Sequence, residues 1–155
     1  MRPGDREVVA GLLGREPRGF FVVVRDQAGA PVVIGNPPIL DDGTPMPTRF
    51  WLVGRALATD VSRLESEGGV KQAEAAVDPA ALRSAHDRYA RERLGEMPAG
   101  YDGPAPSGGV GGTRQGVKCL HAHLAWYLAG GDDPVGMWVA ERLDVDRGDF
   151  LLDDA

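Results

Sequence analysis

The 155-residue sequence is poor in cysteine and lysine and contains no long apolar run. Its single cysteine, Cys119, cannot form an internal disulfide bond, which fits a reducing cytoplasm. The longest apolar runs, residues 20–24 and 124–129, are far shorter than the roughly 20 residues that cross a bilayer. The first residues, MRPGDREVV, contain no apolar stretch typical of a secretory signal. The sequence therefore predicts a cytoplasmic protein with no membrane partner.

Basic charge is also scarce. The chain has 17 Lys and Arg against 23 Asp and Glu, a net charge of −6, and residues 144–155 contain five of the aspartates. Nucleic-acid binding draws its affinity from cationic contacts to phosphates, so we expect no nucleic-acid partner. The hydrophobic fraction of 43% and the charged fraction of 26% are those of a globular protein and exclude disordered and fibrous classes.

The residue pattern predicts an α+β fold with a single domain over residues 1–143 and an acidic tail over residues 144–155. Two runs rich in β-branched residues, 20–25 and 31–35, flank turn-forming residues and predict a hairpin, with a third strand at residues 50–53. We expect about five helices to pack against this small antiparallel sheet. The helical patterns and their capping residues, among them Thr59 or Asp60 and the pair Asp78-Pro79, place helices at residues 5–13, 60–77 in two stretches, 79–94, 113–129 and 134–143.

The most informative stretch for function is GGVGGTRQGVKCLHAH, residues 108–123. A glycine-rich loop that leads into a helix start, with Arg114 and Lys118 in its first turns and no acid nearby, suits an anion. The alternative is a flexible loop followed by a core helix with a solvated basic face. A P-loop is excluded, because Val117 stands where that motif requires lysine. The predicted ligand-binding residues are Arg49, Gly111, Gly112, Thr113, Arg114, Lys118 and His121.

The proline-rich loop at residues 36–50 is a second candidate for ligand contacts. Asp41, Asp42 and Thr44 offer hydrogen-bonding groups for a ligand or a cation. The alternative is a local Asp-Gly turn that the neighbouring prolines tighten.

Cys119 and His121 are the candidate catalytic residues. A helix start and the neighbouring Lys118 favour the thiolate of Cys119, although a free cysteine is more often a buried small side chain. On a regular helix His121 and His123 point in different directions, whereas Cys119 and His123, at positions i and i+4, can share an ion. No cofactor and no resident metal are predicted, and the degenerate metal candidates are Cys119, His121, His123 and Asp26.

Several segments resemble the domain of unknown function 501 family. They are GREPRGFFVVV, DGTPMPTRFWLV, SRLESEGGV and GVKCLHAHLAWYLAGGDDPVG, in the same order over about residues 11–138. This family is found chiefly in actinobacteria and has no established reaction. Its genes often lie beside a septum-forming cell-division protein, which implies an association with division or envelope growth.

The resemblance also implies a metal site that is degenerate in this chain. In typical members of the family that this chain resembles, cysteines stand where this sequence has Asp26 and Gly54. Those members also have the cysteine and histidine that match Cys119 and His121. Such a set would suit zinc or an iron–sulfur cluster. Because i and i+2 side chains diverge on a helix, either the helix begins after Cys119 or Cys119 and His121 have separate roles.

Three functions follow from the sequence as hypotheses. The first is a binding or regulatory protein that holds an anionic small molecule, and it is favoured over catalysis. The second is a protein-interaction module that binds its partner through the acidic tail or an exposed Trp126. The third is a cysteine- or metal-dependent enzyme centred on Cys119.

Overall fold

The sheet consists of four antiparallel strands in the order β3-β2-β1-β4 in the computed structural model, which describes residues 1–153. The predicted hairpin is formed by β1 (Phe21–Arg25) and β2 (Pro31–Gly35), and β3 (Phe50–Leu52) pairs with β2. The carboxylate of Asp26 accepts backbone N–H groups of the hairpin turn, which explains the tight connection. The fourth strand, β4 (Leu151–Leu152), pairs with the other edge of β1.

Six helices cover this sheet within residues 1–153, so the predicted α+β fold class is confirmed. Asp78 and Asp133 cap α4 and α6, each followed by a proline at the first helical position. Among the described helices, none has the length and apolar character of a membrane span. The helices are α1 (Asp5–Leu13), α2 (Arg55–Ser66), α3 (Gly69–Ala76), α4 (Pro79–Gly95), α5 (Leu120–Leu128) and α6 (Pro134–Arg142).

Two predicted helix starts are wrong. Helix α2 begins at Arg55, directly after β3, with Gly54 as its N-cap instead of Thr59 or Asp60. Helix α5 begins at Leu120 rather than near Thr113. The left-handed φ of +66° at Gly116 interrupts the helical pattern there, and contacts to neighbouring helices take up the backbone groups around it.

Helix α5 is the most deeply buried helix and packs against β3, α2 and α6. Leu120, Leu124 and Leu128 are at most 2% exposed and form the core with residues from the sheet. Trp126, expected on an exposed contact surface, is instead buried and packs edge-on against Tyr89 of α4. Trp126 is therefore excluded as a direct contact for a partner protein.

The C-terminal segment up to Asp153 belongs to the sheet. The carboxylate of Asp153 lies 3.1 Å from the Nε atom of the buried Arg25. The other two guanidinium nitrogens of Arg25 donate hydrogen bonds to the carboxylate of Asp5 at 2.9 and 2.7 Å. The sequence predicts an acidic tail over residues 144–155, outside the domain. Within this tail, Leu151 and Leu152 pair with β1, and Asp153 forms an ion pair with Arg25.

Candidate functional site

Glu65, Cys119 and His121 meet at the junction of α2 and α5. One carboxylate oxygen, the thiol sulfur and one imidazole nitrogen lie within 4.8 Å of one another. Cys119 and His121 are the predicted catalytic candidates, and the structure adds Glu65, which the sequence did not indicate. We call these three residues the thiol cluster.

The thiol cluster forms because α5 starts one residue after Cys119. As the N-cap, Cys119 has an extended backbone with φ −147° and ψ 119°, so its side chain is not constrained to diverge from that of His121 as it would on a helix. Glu65 accepts the backbone N–H of Leu120 through Oε2 at 2.9 Å and lies 3.3 Å from Nδ1 of His121 through Oε1. One carboxylate therefore caps the helix and orients the imidazole.

Helix α2 supplies the other contacts of the imidazole. Nε2 of His121 lies 3.2 Å from the hydroxyl of Ser62 and 3.2 Å from the carbonyl oxygen of Ala58. Ala58, Ser62 and Glu65 follow one another at i, i+4 and i+7 and so share one face of α2. This spacing in the sequence is the signal that could have identified Glu65.

The electrostatics favour a thiolate–imidazolium pair. Hydrogen bonding to Cys119 raises the pKa of His121 to about 9, with burial acting against it and the Glu65 carboxylate reinforcing it. Burial alone would raise the pKa of the Cys119 thiol, but His121 and the backbone N–H of Ala122 outweigh burial and lower that pKa. At neutral pH the pair therefore carries a positive imidazolium beside a sulfur poised to ionise.

The thiol cluster is accessible to a reactant. Cys119 is half-buried, and the side chains of His121 and Glu65 are 26% and 27% exposed. The positive end of the α5 dipole adds to the stabilisation of a thiolate at the N-cap. Cys119 is thus a partly exposed thiol in an electropositive setting, which is the environment of reactive cysteines rather than of inert core cysteines.

His123, the other histidine of α5, has a separate role. It is fully buried, and its Nδ1 lies 2.7 Å from a carboxylate oxygen of Asp133, the N-cap of α6. Cys119 and His123 therefore do not form the ligand pair that their i, i+4 spacing allowed, because the cysteine meets His121. The i, i+4 geometry does not apply to this pair because Cys119 precedes the first residue of α5 and has an extended backbone.

The residues predicted to bind an anion do not gather in one place. Arg49 lies over the ring of Phe50 and pairs with Glu92 of α4 at 3.3 Å. Lys118 is exposed, and Arg114 lines a cavity beside α4 that none of the other predicted ligands lines. Gly111 and Gly112 belong to a short 3-10 turn before α5, followed by Thr113.

The proline-rich loop shows the local turn that was the alternative to a ligand contact. The Asp42 carboxylate accepts the backbone N–H of Thr44 and pairs with Arg18. Asp41 is exposed and lies outside the thiol cluster. The contacts of Asp42 are those of an Asp-Gly turn, and the ligand role of Asp41, Asp42 and Thr44 stays a prediction.

A family model described as "Protein of unknown function (DUF501)" matches residues 22–141. The chain belongs to the DUF501 family. No curated protein and no solved structure matches it. The matched range includes all three members of the thiol cluster, so the cluster lies within the DUF501 domain.

The four-ligand metal site that the DUF501 resemblance implies does not fit this chain. The Asp26 carboxylate is engaged by the hairpin turn, and Gly54 offers no side-chain ligand. The donor group that does form, Glu65 with Cys119 and His121, includes neither position. Its donor types are those of a three-ligand zinc site, so metal content is a necessary measurement in any test of the thiol cluster.

Proposed function

We propose that this DUF501 protein is a thiol-dependent enzyme in which Cys119 is the nucleophile. The observation that carries the proposal is the convergence of Cys119, His121 and Glu65 within 4.8 Å at a helix start. A nucleophile, a base within reach of it and a third group that orients the base are the parts that covalent catalysis requires. The proposal departs from the sequence-based preference for a binding role because Glu65 supplies the third part.

The chemistry that this arrangement supports is acyl transfer or hydrolysis. The Cys119 thiolate attacks an acyl carbon and displaces an alkoxide or amine, which takes the proton from the His121 imidazolium. A thioester on Cys119 results. The neutral His121 then accepts a proton from water as the water attacks the thioester, which releases the carboxylic acid and restores the Cys119 thiolate beside the His121 imidazolium. Glu65 holds the imidazole in place through both states.

The start of α5 also offers groups for the oxygen that gains charge in this reaction. Backbone N–H groups in the first turn of a helix have no intrahelical acceptor, and they favour negative charge. Glu65 already occupies the N–H of Leu120. The N–H of Ala122 faces the sulfur of Cys119, so the N–H of His121 is the group of this turn that is suited to a developing oxyanion, and this supports acyl chemistry.

Reaction with p-nitrophenyl acetate, followed by intact-protein mass spectrometry, tests the proposal. We expect one acetyl group on Cys119 at neutral pH and none in Cys119→Ser. Loss of the acid–base partner in His121→Gln should slow acylation by about 100-fold. Lys71→Gln, which removes an exposed charge away from the thiol cluster, is the matched control and should acylate normally.

Two results would overturn the proposal. One is an acetylation rate no higher than that of a free thiol at the same pH. The other is an equal rate in wild type and His121→Gln. Metal content is measured on the same preparations, because a stoichiometric metal on Cys119 would also refute a free thiolate nucleophile.

The other hypotheses from the sequence stay predictions. A partner protein bound through residues 144–155 would have to bind a segment that is paired into the sheet as far as Asp153.

A further inference from the structure

A second site lies away from the thiol cluster, in a cavity between α4 and the loop that precedes α5. This α4 cavity has a volume of about 370 Å³, a size typical of small-molecule sites. The loop approaches α4 closely because Gly109 has no side chain. A Cβ there would lie 2.4 Å from Nδ1 of His86. The residues of the α4 cavity used below are His86, Asp87, Arg93, Leu94, Met97 and Arg114.

The floor of the α4 cavity contains a buried cation without a counter-ion. Arg93 is 3% exposed, and its guanidinium donates hydrogen bonds to the carbonyl oxygens of Pro47 and Gly108 at 2.8 and 2.7 Å. No carboxylate within residues 1–153 pairs with it. A buried charge is costly unless it is paired, so this guanidinium favours an anion from outside the chain.

The surroundings of Arg93 favour the binding of an anion. Burial lowers the pKa of Arg93, and the nearby guanidinium of Arg49 acts in the same direction. His86 is also buried. Its Nδ1 accepts the N–H of Val110 while its Nε2 contacts the carbonyl oxygen of Gly116, so the ring is neutral and adds no charge.

Two further charged residues line the α4 cavity, and both are exposed. Arg114 adds a second cation and Asp87 an anion. With Arg93, these groups leave one net positive charge, which suits a ligand with a single anionic group. Leu94 is 68% exposed and, with Met97, provides an apolar wall beside the cations.

We infer that the α4 cavity binds a small organic oxyanion, with its phosphate or carboxylate group at Arg93 and Arg114 and its apolar part against Leu94 and Met97. The planar guanidinium fork matches both kinds of oxyanion. This inference places the anion site in the α4 cavity, whereas the sequence predicts it at the start of α5. Arg114 belongs to it, whereas Arg49, Lys118 and His121 are not among the lining residues. It does not depend on the thiol cluster.

Calorimetric titration of the full chain tests this inference with four probes: phenyl phosphate, benzoate, phenol and inorganic phosphate. Phenyl phosphate and benzoate distinguish the two oxyanion classes. Phenol lacks the anionic group, and inorganic phosphate lacks the apolar part. We expect at least one aromatic anion to bind with one-to-one stoichiometry, more tightly than either phenol or inorganic phosphate.

The variant Arg114→Gln identifies the site. It should weaken the binding by about tenfold, the effect of one charge-assisted hydrogen bond, and high salt should weaken it further. Arg114 is exposed, so its replacement leaves the core intact. Arg83→Gln, which replaces an exposed arginine of α4 outside the α4 cavity, is the matched control and should bind like wild type.

Two outcomes would refute the inference. The first is no saturable binding of either aromatic anion. The second is binding of equal strength in wild type and Arg114→Gln. Neither outcome bears on Cys119, because acetylation by p-nitrophenyl acetate is measured separately and without these probes.

Discussion

Cys119 is distinguished from an ordinary buried cysteine by its immediate neighbours. His121 and the start of α5 stabilise negative charge on its sulfur, and Glu65 stabilises the positive charge on His121. The same carboxylate opposes ionisation of the thiol. Glu65 therefore favours the charged form of His121 and disfavours the thiolate of Cys119. A role in orienting the imidazole, rather than in activating the sulfur, accounts for this placement.

At the residue scale, Glu65→Gln should lower the pKa of His121 from about 9, because the variant removes the carboxylate charge and keeps an oxygen acceptor. Titration of the histidine Cε1–H resonances by NMR measures this pKa. Glu67→Gln, an exposed acid on the turn after α2, should leave the pKa of His121 unchanged. An unchanged titration in Glu65→Gln would show that the carboxylate does not face the imidazole in solution.

At the scale of elements, the strands and most helices follow from the sequence because their signals are local. β-Branched runs define the hairpin, and Asp78 with Pro79 defines the start of α4. The start of α5 does not follow, because residues 113–119 have a helical pattern that contacts with α3 and α4 override. Glu74 accepts the N–H of Val117 at 2.6 Å. The thiol cluster depends on that start. The sequence therefore identifies Cys119 and His121 as candidates but does not predict that they lie close together.

The loop that forms the α4 cavity gives a prediction about packing. Gly109→Ala should destabilise the protein by roughly 2 kcal/mol, because the added methyl group would overlap His86 and break its bond with the N–H of Val110. Gly11→Ala in α1 is the control. A Cβ there meets no atom within 4 Å, so the variant should be stabilised by up to about 1 kcal/mol. Urea unfolding of both variants measures the difference, and equal stabilities would contradict the close packing of this loop on α4.

At the scale of the whole molecule, the ion pairs of Arg25 connect α1, β1 and the C-terminal segment. Arg25 is 1% exposed and lies between the carboxylates of Asp5 and Asp153. Removing one partner of a buried ion pair leaves an uncompensated charge, which costs more than the loss of a surface pair. The acidic end of the chain is thus part of the fold as far as Asp153.

Asp5→Ala should therefore lower the free energy of unfolding by about 3 kcal/mol. Glu16→Ala, which breaks an exposed pair with Arg6, should change it by less than about 1 kcal/mol. Hydrogen bonding to Arg25 lowers the pKa of Asp5 to about 2, against the opposing effect of burial. The contribution of Asp5 is consequently present above its ordinary pKa of 3.8 and is lost as the pH falls toward 2. Urea unfolding of both variants at neutral and acidic pH checks these values, and similar losses at neutral pH would contradict a buried network.

The pH dependence of Cys119 alkylation by iodoacetamide tests the central claim most directly, because only the thiolate reacts. The thiol cluster predicts that the wild-type thiol ionises below the usual cysteine pKa, and that the apparent pKa rises in His121→Gln. A wild-type profile that matches free cysteine and does not change in His121→Gln would contradict the account.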